Sequence, residues 1–254
     1  MLIITYKNLF HNFLSKRVAN YLKKRKVYIV LKTGQCIPKY RTDKMNIITE
    51  QYSIDAAFLN QPWNKLTYKE IQKLSGKGSR SYIYSVLNRL IKENIIITES
   101  VGKSIIYGTN LNSLKVQNYL GFLEQYKAWQ SKYIPLNIIF RLSNKLIKIT
   151  PFFTFIITGS YAKQLQTKRS DLDVVIICDD SINPKKIYAE LKYESDMSVP
   201  KVHLYVFRKS EFLAMLLDEK ENYGKEIARH HLIFAGGTAY YVILQEAIKH
   251  GFKG

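Results

Sequence analysis

The sequence predicts an α+β protein built in two parts. Residues 46–112 read as helices closed by a β-hairpin, and residues 137–254 read as an α/β domain with a small mixed sheet. Three observations carry this expectation. Apolar residues recur at helical spacing across the first part and are followed by two short β-like runs. Two apolar, β-branched runs in the second part, Phe152–Thr158 and Val174–Ile177, have the length of buried strands. Charge is also divided between the parts: residues 1–45 carry a balance of +10, 46–112 of +3, 113–150 of +5 and 151–254 of only +1.

The whole chain has 254 residues, 46% apolar and 23% charged. That is ordinary globular usage and excludes wholesale disorder. No run of about 18 apolar residues is present, so a membrane-spanning helix is not expected. Two cysteines, Cys36 and Cys178, exclude a disulfide scaffold and a cysteine-rich zinc site. No basic stub followed by an apolar stretch and a small-residue cleavage site opens the sequence, so the expected compartment is the cytoplasm. The net charge of +19 would draw the chain to polyanions: nucleic acid, nucleotides or an anionic membrane surface.

Residues 1–45 form a basic extension. Leu9, Phe10, Phe13, Leu14, Val18, Tyr21 and Leu22 recur at helical spacing among Lys16, Arg17, Lys23, Lys24, Arg25 and Lys26. This segment reads as an amphipathic helix, as a flexible basic tail, or as an extension ahead of a start at Met45.

In residues 46–112, a first helix is expected near 48–60. Thr67 and Glu70 have the spacing of a capping box that starts a second helix, with Leu66 and Ile71 as its hydrophobic staple. Ser75–Ser79 breaks it. A third helix follows, with Ile83, Val86, Leu87, Leu90 and Ile91 inward and Arg80, Ser81, Tyr84, Ser85, Asn88 and Arg89 on the other face. Ile95–Ser100 and Ser104–Tyr107 then form a hairpin around Gly102-Lys103. This order resembles the winged helix-turn-helix family. The resemblance implies a third helix in the major groove and a hairpin wing on the DNA backbone. Ser79, Arg80, Ser81, Tyr84, Ser85 and Asn88 would then face bases or phosphates, with Lys103 at the wing tip. Such modules also serve as protein-contact units.

Residues 113–136 read as a helical linker. Leu114–Tyr133 has helical spacing that ends at Pro135, and a second helix is marked by Ile138, Ile139, Leu142, Leu146 and Ile149.

The stretch most informative about chemistry is 152–180. A buried strand ends at Gly159-Ser160, and Tyr161–Leu165 is expected to open a helix. Glycine there lets backbone approach an anion, and a helix start offers free N–H groups. Ten residues separate Ser160 from Asp171-Leu172-Asp173, which leads into the second strand. Residues two apart on a strand share a face, so Asp171 and Asp173 lie side by side. Two adjacent carboxylates repel, and a hard cation such as Mg²⁺ resolves the repulsion.

Gly-Ser, ten residues, then Asp-x-Asp between two strands resembles the signature of the polymerase-beta-like nucleotidyltransferase superfamily. The form GSYA…TKRSDLD is close to that of its prokaryotic minimal members, and a fused helix-turn-helix is similar to archaeal-type proteins. The resemblance implies transfer of a nucleoside monophosphate from an NTP, with ATP as first candidate. Gly159 and Ser160 would hold the triphosphate, with Lys163, Arg169 and Ser170 assisting, and Asp171 and Asp173 would bind Mg²⁺ or Mn²⁺. Relatives include antitoxins that modify a HEPN-type partner protein.

Two departures from the pattern stand out. Lys163-Gln164 replaces a common Arg-Gly pair. The later strand that would supply a third carboxylate, Lys201–Phe207, has no acid; His203 stands nearest that position, as a metal ligand, a base or an ordinary strand residue. Glu194 and Asp196 in the preceding loop could substitute. A regulator that binds DNA and senses a nucleotide is the alternative reading. In the tail, two helices are expected around a short apolar segment.

Overall fold

The computed structural model describes residues 51–254. The readings made on residues 1–45, and the start of the first expected helix, lie outside these residues.

Tyr52–Asp55 forms a short helix, α1, prolonged by a 3-10 turn over Ala56–Phe58. The next helix begins where the sequence places it. The Thr67 N–H donates to the Glu70 carboxylate at 2.7 Å, and the Glu70 N–H donates to Thr67 Oγ1 at 3.4 Å. This reciprocal cap starts α2, Tyr68–Ser75, after a two-residue strand β1, Leu66–Thr67. Gly76 at φ +65° ends α2, a backbone conformation that suits glycine. Ser79 Oγ then accepts the Tyr82 N–H and caps α3, Arg80–Lys92. Ile83, Val86, Leu87 and Leu90 of α3 are buried, as their spacing predicts. Strands β2, Ile96–Val101, and β3, Ser104–Thr109, pair antiparallel. β1 adds to the outside of β3, giving the order β1-β3-β2. Two residues are too few to show alternation, so β1 has no signal of its own in the sequence.

Helix α4, Leu114–Gln130, occupies the segment read as a linker. Its buried residues, among them Val116, Leu120, Gly121, Leu123, Glu124, Tyr126 and Ala128, point in several directions around the axis. A helix buried on several sides lies between other elements. Here one hydrophobic cluster runs from Ile54, Ile83 and Leu87 through Leu120 and Leu123 to Ile156, Ile233, Tyr240 and Phe252.

The remaining elements are α5 (Leu136–Ile149), β4 (Phe153–Thr158), the single-turn α6 (Gly159–Ala162), β5 (Leu172–Cys178), α7 (Pro184–Asp196) and β6 (Val202–Arg208). They are followed by α8 (Lys209–Leu217), α9 (Tyr223–Arg229), β7 (Leu232–Ala235) and α10 (Gly237–Lys249). The tail therefore holds three helices rather than the expected two. Its short apolar segment is strand β7, which pairs antiparallel with β4. Four apolar residues fit a strand or a helix equally, and pairing decides.

The second sheet has the order β6-β5-β4-β7. β4 is antiparallel to both neighbours, while β5 and β6 are parallel and joined through α7. This is the small mixed sheet expected. Alternation along the strands sends Phe155, Ile157, Val174 and Ile176 to one face, where Ile138, Leu142, Leu146, Ile187 and Leu191 of α5 and α7 cover them. Ile156, Val175, Ile177 and Ile233 point to the other face, covered by Phe212, Leu216, Ile227, Tyr240 and Tyr241.

Candidate active site

The site lies where β4 ends and β5 begins. Thr158, the last residue of β4, is the cross-strand partner of Asp173. Gly159 follows at φ +68°, and a Cβ built on it would overlap Asp173 Oδ2. Glycine here satisfies both the left-handed backbone and the close approach of a carboxylate. The anion that this glycine accommodates within the protein is Asp173 itself. Thr158 Oγ1 donates to the His230 carbonyl at 2.7 Å, which ties the end of β4 to the chain just before β7.

The helix expected over 161–165 is a single turn. Lys163 N–H donates to the Gly159 carbonyl, and Gln164 then takes φ +58°, which ends it. Leu165 N–H donates back to the Ser160 carbonyl at 2.9 Å. The following loop is held by its own side chains. Ser170 Oγ accepts the Thr167 N–H at 2.8 Å, and Thr167 Oγ1 accepts the Arg169 N–H. Ser170 thus stabilises the loop that carries Asp171. Arg169 is exposed on it.

Asp171 immediately precedes β5 and Asp173 is its second residue. His203 is the register partner of Asp173 across the parallel pair. Its imidazole lies between the two acids, Nε2 at 3.4 Å from Asp171 Oδ2 and Nδ1 at 3.4 Å from Asp173 Oδ1. Burial pushes the Asp173 carboxyl above its ordinary value. His203 opposes that shift, and Asp171 and Glu226 add to it.

Glu194 and Asp196 are not at this site. They lie in α7 rather than in a loop. Glu194 pairs with Lys145 at 3.2 Å and lies 3.8 Å from Arg141, while Asp196 pairs with Lys192 at 3.2 Å. Asn183 caps α7 and Pro184 opens it, and the helix runs on to Asp196.

Helix α9 brings three groups that the sequence does not single out as site residues. Glu226 Oε1 takes an ion pair from Lys163 Nζ at 2.8 Å. The Tyr223 ring packs on Tyr205 at 4.8 Å, and its hydroxyl oxygen is buried without a hydrogen-bond partner. Burial and the nearby Asp173 carboxylate push that phenol up. His230, after the helix, has its imidazole lowered by burial and by Lys163. No motif spacing links α9 to the acidic pair, because their proximity comes from chain folding alone.

The two carboxylates fit Mg²⁺. They are hard oxygen donors on either side of the His203 imidazole. Mg²⁺ is usually held by one or two carboxylates plus water and substrate phosphates rather than by an all-protein cage.

A second candidate surface lies on α3. Arg80, Ser81, Ser85 and Asn88 are exposed, and Lys103 is exposed at the turn between β2 and β3. Tyr84 is half-buried and stacks on Tyr68 with centroids 4.8 Å apart and planes 11° apart. The Arg80 guanidinium lies over both rings, at 5.8 and 5.6 Å. Tyr84 is therefore committed to a stack, with Tyr68 as the partner that sequence spacing does not reveal.

Residues 141–229 match the family model described as nucleotidyltransferase domain. The match runs from within α5 to the end of α9, and so contains Gly159, Ser160, Asp171, Asp173, His203 and Glu226. It supports nucleotidyl transfer as the general chemistry of this site. No curated protein matches the chain. No helix among the described residues is long and apolar enough to cross a membrane.

Proposed function

We propose that this protein transfers a nucleoside monophosphate from an NTP, with ATP as first candidate, to a hydroxyl on a macromolecule. The carrying observation is the packing of Gly159 against Asp173, with Asp171 alongside, at the sheet end. Asp171 and Asp173 would hold Mg²⁺ or Mn²⁺, which when bound supplies charge neutralisation to triphosphate oxygens. Gly159 and Ser160 would receive the triphosphate. Lys163 and Arg169 stand on the same turn and loop, and Ser170 keeps the loop in shape. The acceptor oxygen attacks the α-phosphorus as the bond to the β-phosphate bridge breaks, and pyrophosphate leaves. A partner protein of the HEPN class is the acceptor that the resemblance implies.

The test is Mg²⁺-dependent transfer of label from α-labelled ATP to the product of the neighbouring gene. Label on the partner, absent with Asp171→Asn/Asp173→Asn, supports the reading. No transfer in any pairing, with no nucleotide binding, ends it.

One observation favours a second activity. The β1-β3-β2 sheet beside α2 and α3, with an exposed Arg80, Ser81, Ser85 and Asn88 face, supports the reading of a winged helix-turn-helix, which would lay α3 on duplex DNA. On this reading the protein is a DNA-binding regulator whose nucleotide site acts as a sensor. Salt-dependent binding to duplex DNA tests it.

A further inference from the structure

The sequence reading leaves open which acid would accept a proton from the incoming hydroxyl. Strand β6 has none, and Glu194 and Asp196 are paired on α7. Glu226 answers the need from a different element. It lies one turn into α9, and its carboxylate meets Nζ of Lys163, the residue that closes the turn begun at Gly159-Ser160, at 2.8 Å. It is close enough to Asp173 to act on that carboxyl electrostatically. The Lys163 and Glu226 side chains are 34% and 45% exposed. An ion pair in that setting is weak and easily exchanged, and a triphosphate offers Lys163 more negative charge than one carboxylate.

We propose that Lys163 exchanges Glu226 for the triphosphate of the bound nucleotide, and that Glu226, released, takes the proton of the acceptor hydroxyl. The proposal rests on the nucleotidyltransferase reading and names its missing base. The acceptor O–H bond breaks and its proton goes to a Glu226 carboxylate oxygen. The acceptor oxygen forms a bond to the α-phosphorus, and the bond from that phosphorus to the bridging oxygen breaks. The electron pair leaves with pyrophosphate, and Glu226 returns its proton to water. The charged and titratable groups around Glu226 are Lys163 from the turn after β4, Asp173 of β5, Tyr223 of its own helix, and His230 beyond it. Arg229 is engaged with Glu221 at 2.7 Å.

The exchange makes binding and turnover move in opposite directions. The experiment compares wild type, Glu226→Gln, Glu226→Asp and Lys163→Met, measuring MgATP affinity by calorimetry. Pyrophosphate release is followed with water as acceptor across pH, and thermal melts confirm that the variants fold. Glu226→Gln is expected to bind MgATP about three- to fivefold tighter, because Lys163 no longer has a carboxylate to leave. Its pyrophosphate release is expected to fall at least about 100-fold, with the acid limb of the pH profile lost and part of the rate kept by Glu226→Asp. Lys163→Met is expected to weaken MgATP binding. Glu226→Gln that weakens binding as Lys163→Met does, or that releases pyrophosphate within about threefold of wild type, overturns the proposal and leaves the nucleotidyltransferase reading in place. Wild type that binds no MgATP overturns both.

Discussion

Gly159 and Asp173 are packed so that no side-chain atom fits between them. A Cβ on Gly159 would overlap Asp173 Oδ2 and sit 3.2 Å from its Cγ, and the glycine backbone is left-handed at φ +68°. Gly159→Ala therefore meets two costs, a left-handed backbone of about 1–2 kcal/mol and a displaced carboxylate. The variant is expected to melt lower than wild type and to lose Mg²⁺-dependent ATP binding. Unchanged nucleotide affinity, measured by calorimetry, would separate this glycine from the site.

Asp173 costs the metal-free fold stability. Burial is the largest influence on its carboxyl and raises it above the ordinary value. A carboxyl raised in the folded state makes the charged form unfavourable at pH above that value, and the cost disappears as pH falls through it. Metal-free Asp173→Asn is thus expected to melt higher than wild type at pH 7, with the gain fading towards the acidic range. A lower melting temperature at pH 7 would show that the His203 contact outweighs burial.

A buried charge lies away from the site, between α4 and the chain that follows α9. Glu124 of α4 is fully buried, 3.6 Å from His231 Nε2 and 3.5 Å from Lys127 Nζ. Burial pushes its carboxyl up, but Lys127 and His231 together hold it below the ordinary range. His231 Nδ1 lies 2.9 Å from the Ile227 carbonyl, so the pair links α4 to α9. His231→Ala removes one partner of a buried charge and is expected to cost about 3 kcal/mol. In a chain of this size that lowers the melting temperature by about 6–12 °C. Replacing Glu124 and His231 together with leucine should recover much of the loss, and a double variant as unstable as the single one would contradict this account.

Arg80 tests the surface on α3. Arg80→Ala is expected to weaken duplex DNA binding evenly across sequences and to reduce the dependence of affinity on salt by about one phosphate contact. Fluorescence anisotropy between low and high salt measures both. Salt-independent or absent binding would leave α3 as a protein-contact face.

Much of this architecture is legible in the sequence because its signals are local. The Thr67–Glu70 cap, the α3 periodicity and the Gly-Ser…Asp-x-Asp spacing each act over short stretches of the chain, the longest from Gly159 to Asp173. What escapes is what folding brings together from afar. Glu226 reaches Lys163 across 63 positions, and neither residue stands in a pattern that predicts the other. Strand β7 is four residues long, and only pairing with β4 distinguishes it from a helix end. Gly121 and Gly237 are another such pair. A Cβ on Gly121 would sit 2.5 Å from Thr238 N, so α4 and α10 cross backbone to backbone. The fold uses both glycines of the Gly236-Gly237 pair: Gly236 turns the chain against Phe153 and Thr154 at φ +73°, and Gly237 admits α4.

The proposed role of Asp171 and Asp173 in nucleotidyl transfer is open to direct test. The purified protein is incubated with a candidate acceptor protein of the HEPN class, Mg²⁺ and α-labelled ATP, beside the Asp171→Asn/Asp173→Asn variant. Label is expected on the acceptor protein with wild type, and at least about a hundredfold less with the variant. Equal labelling by both proteins would contradict it.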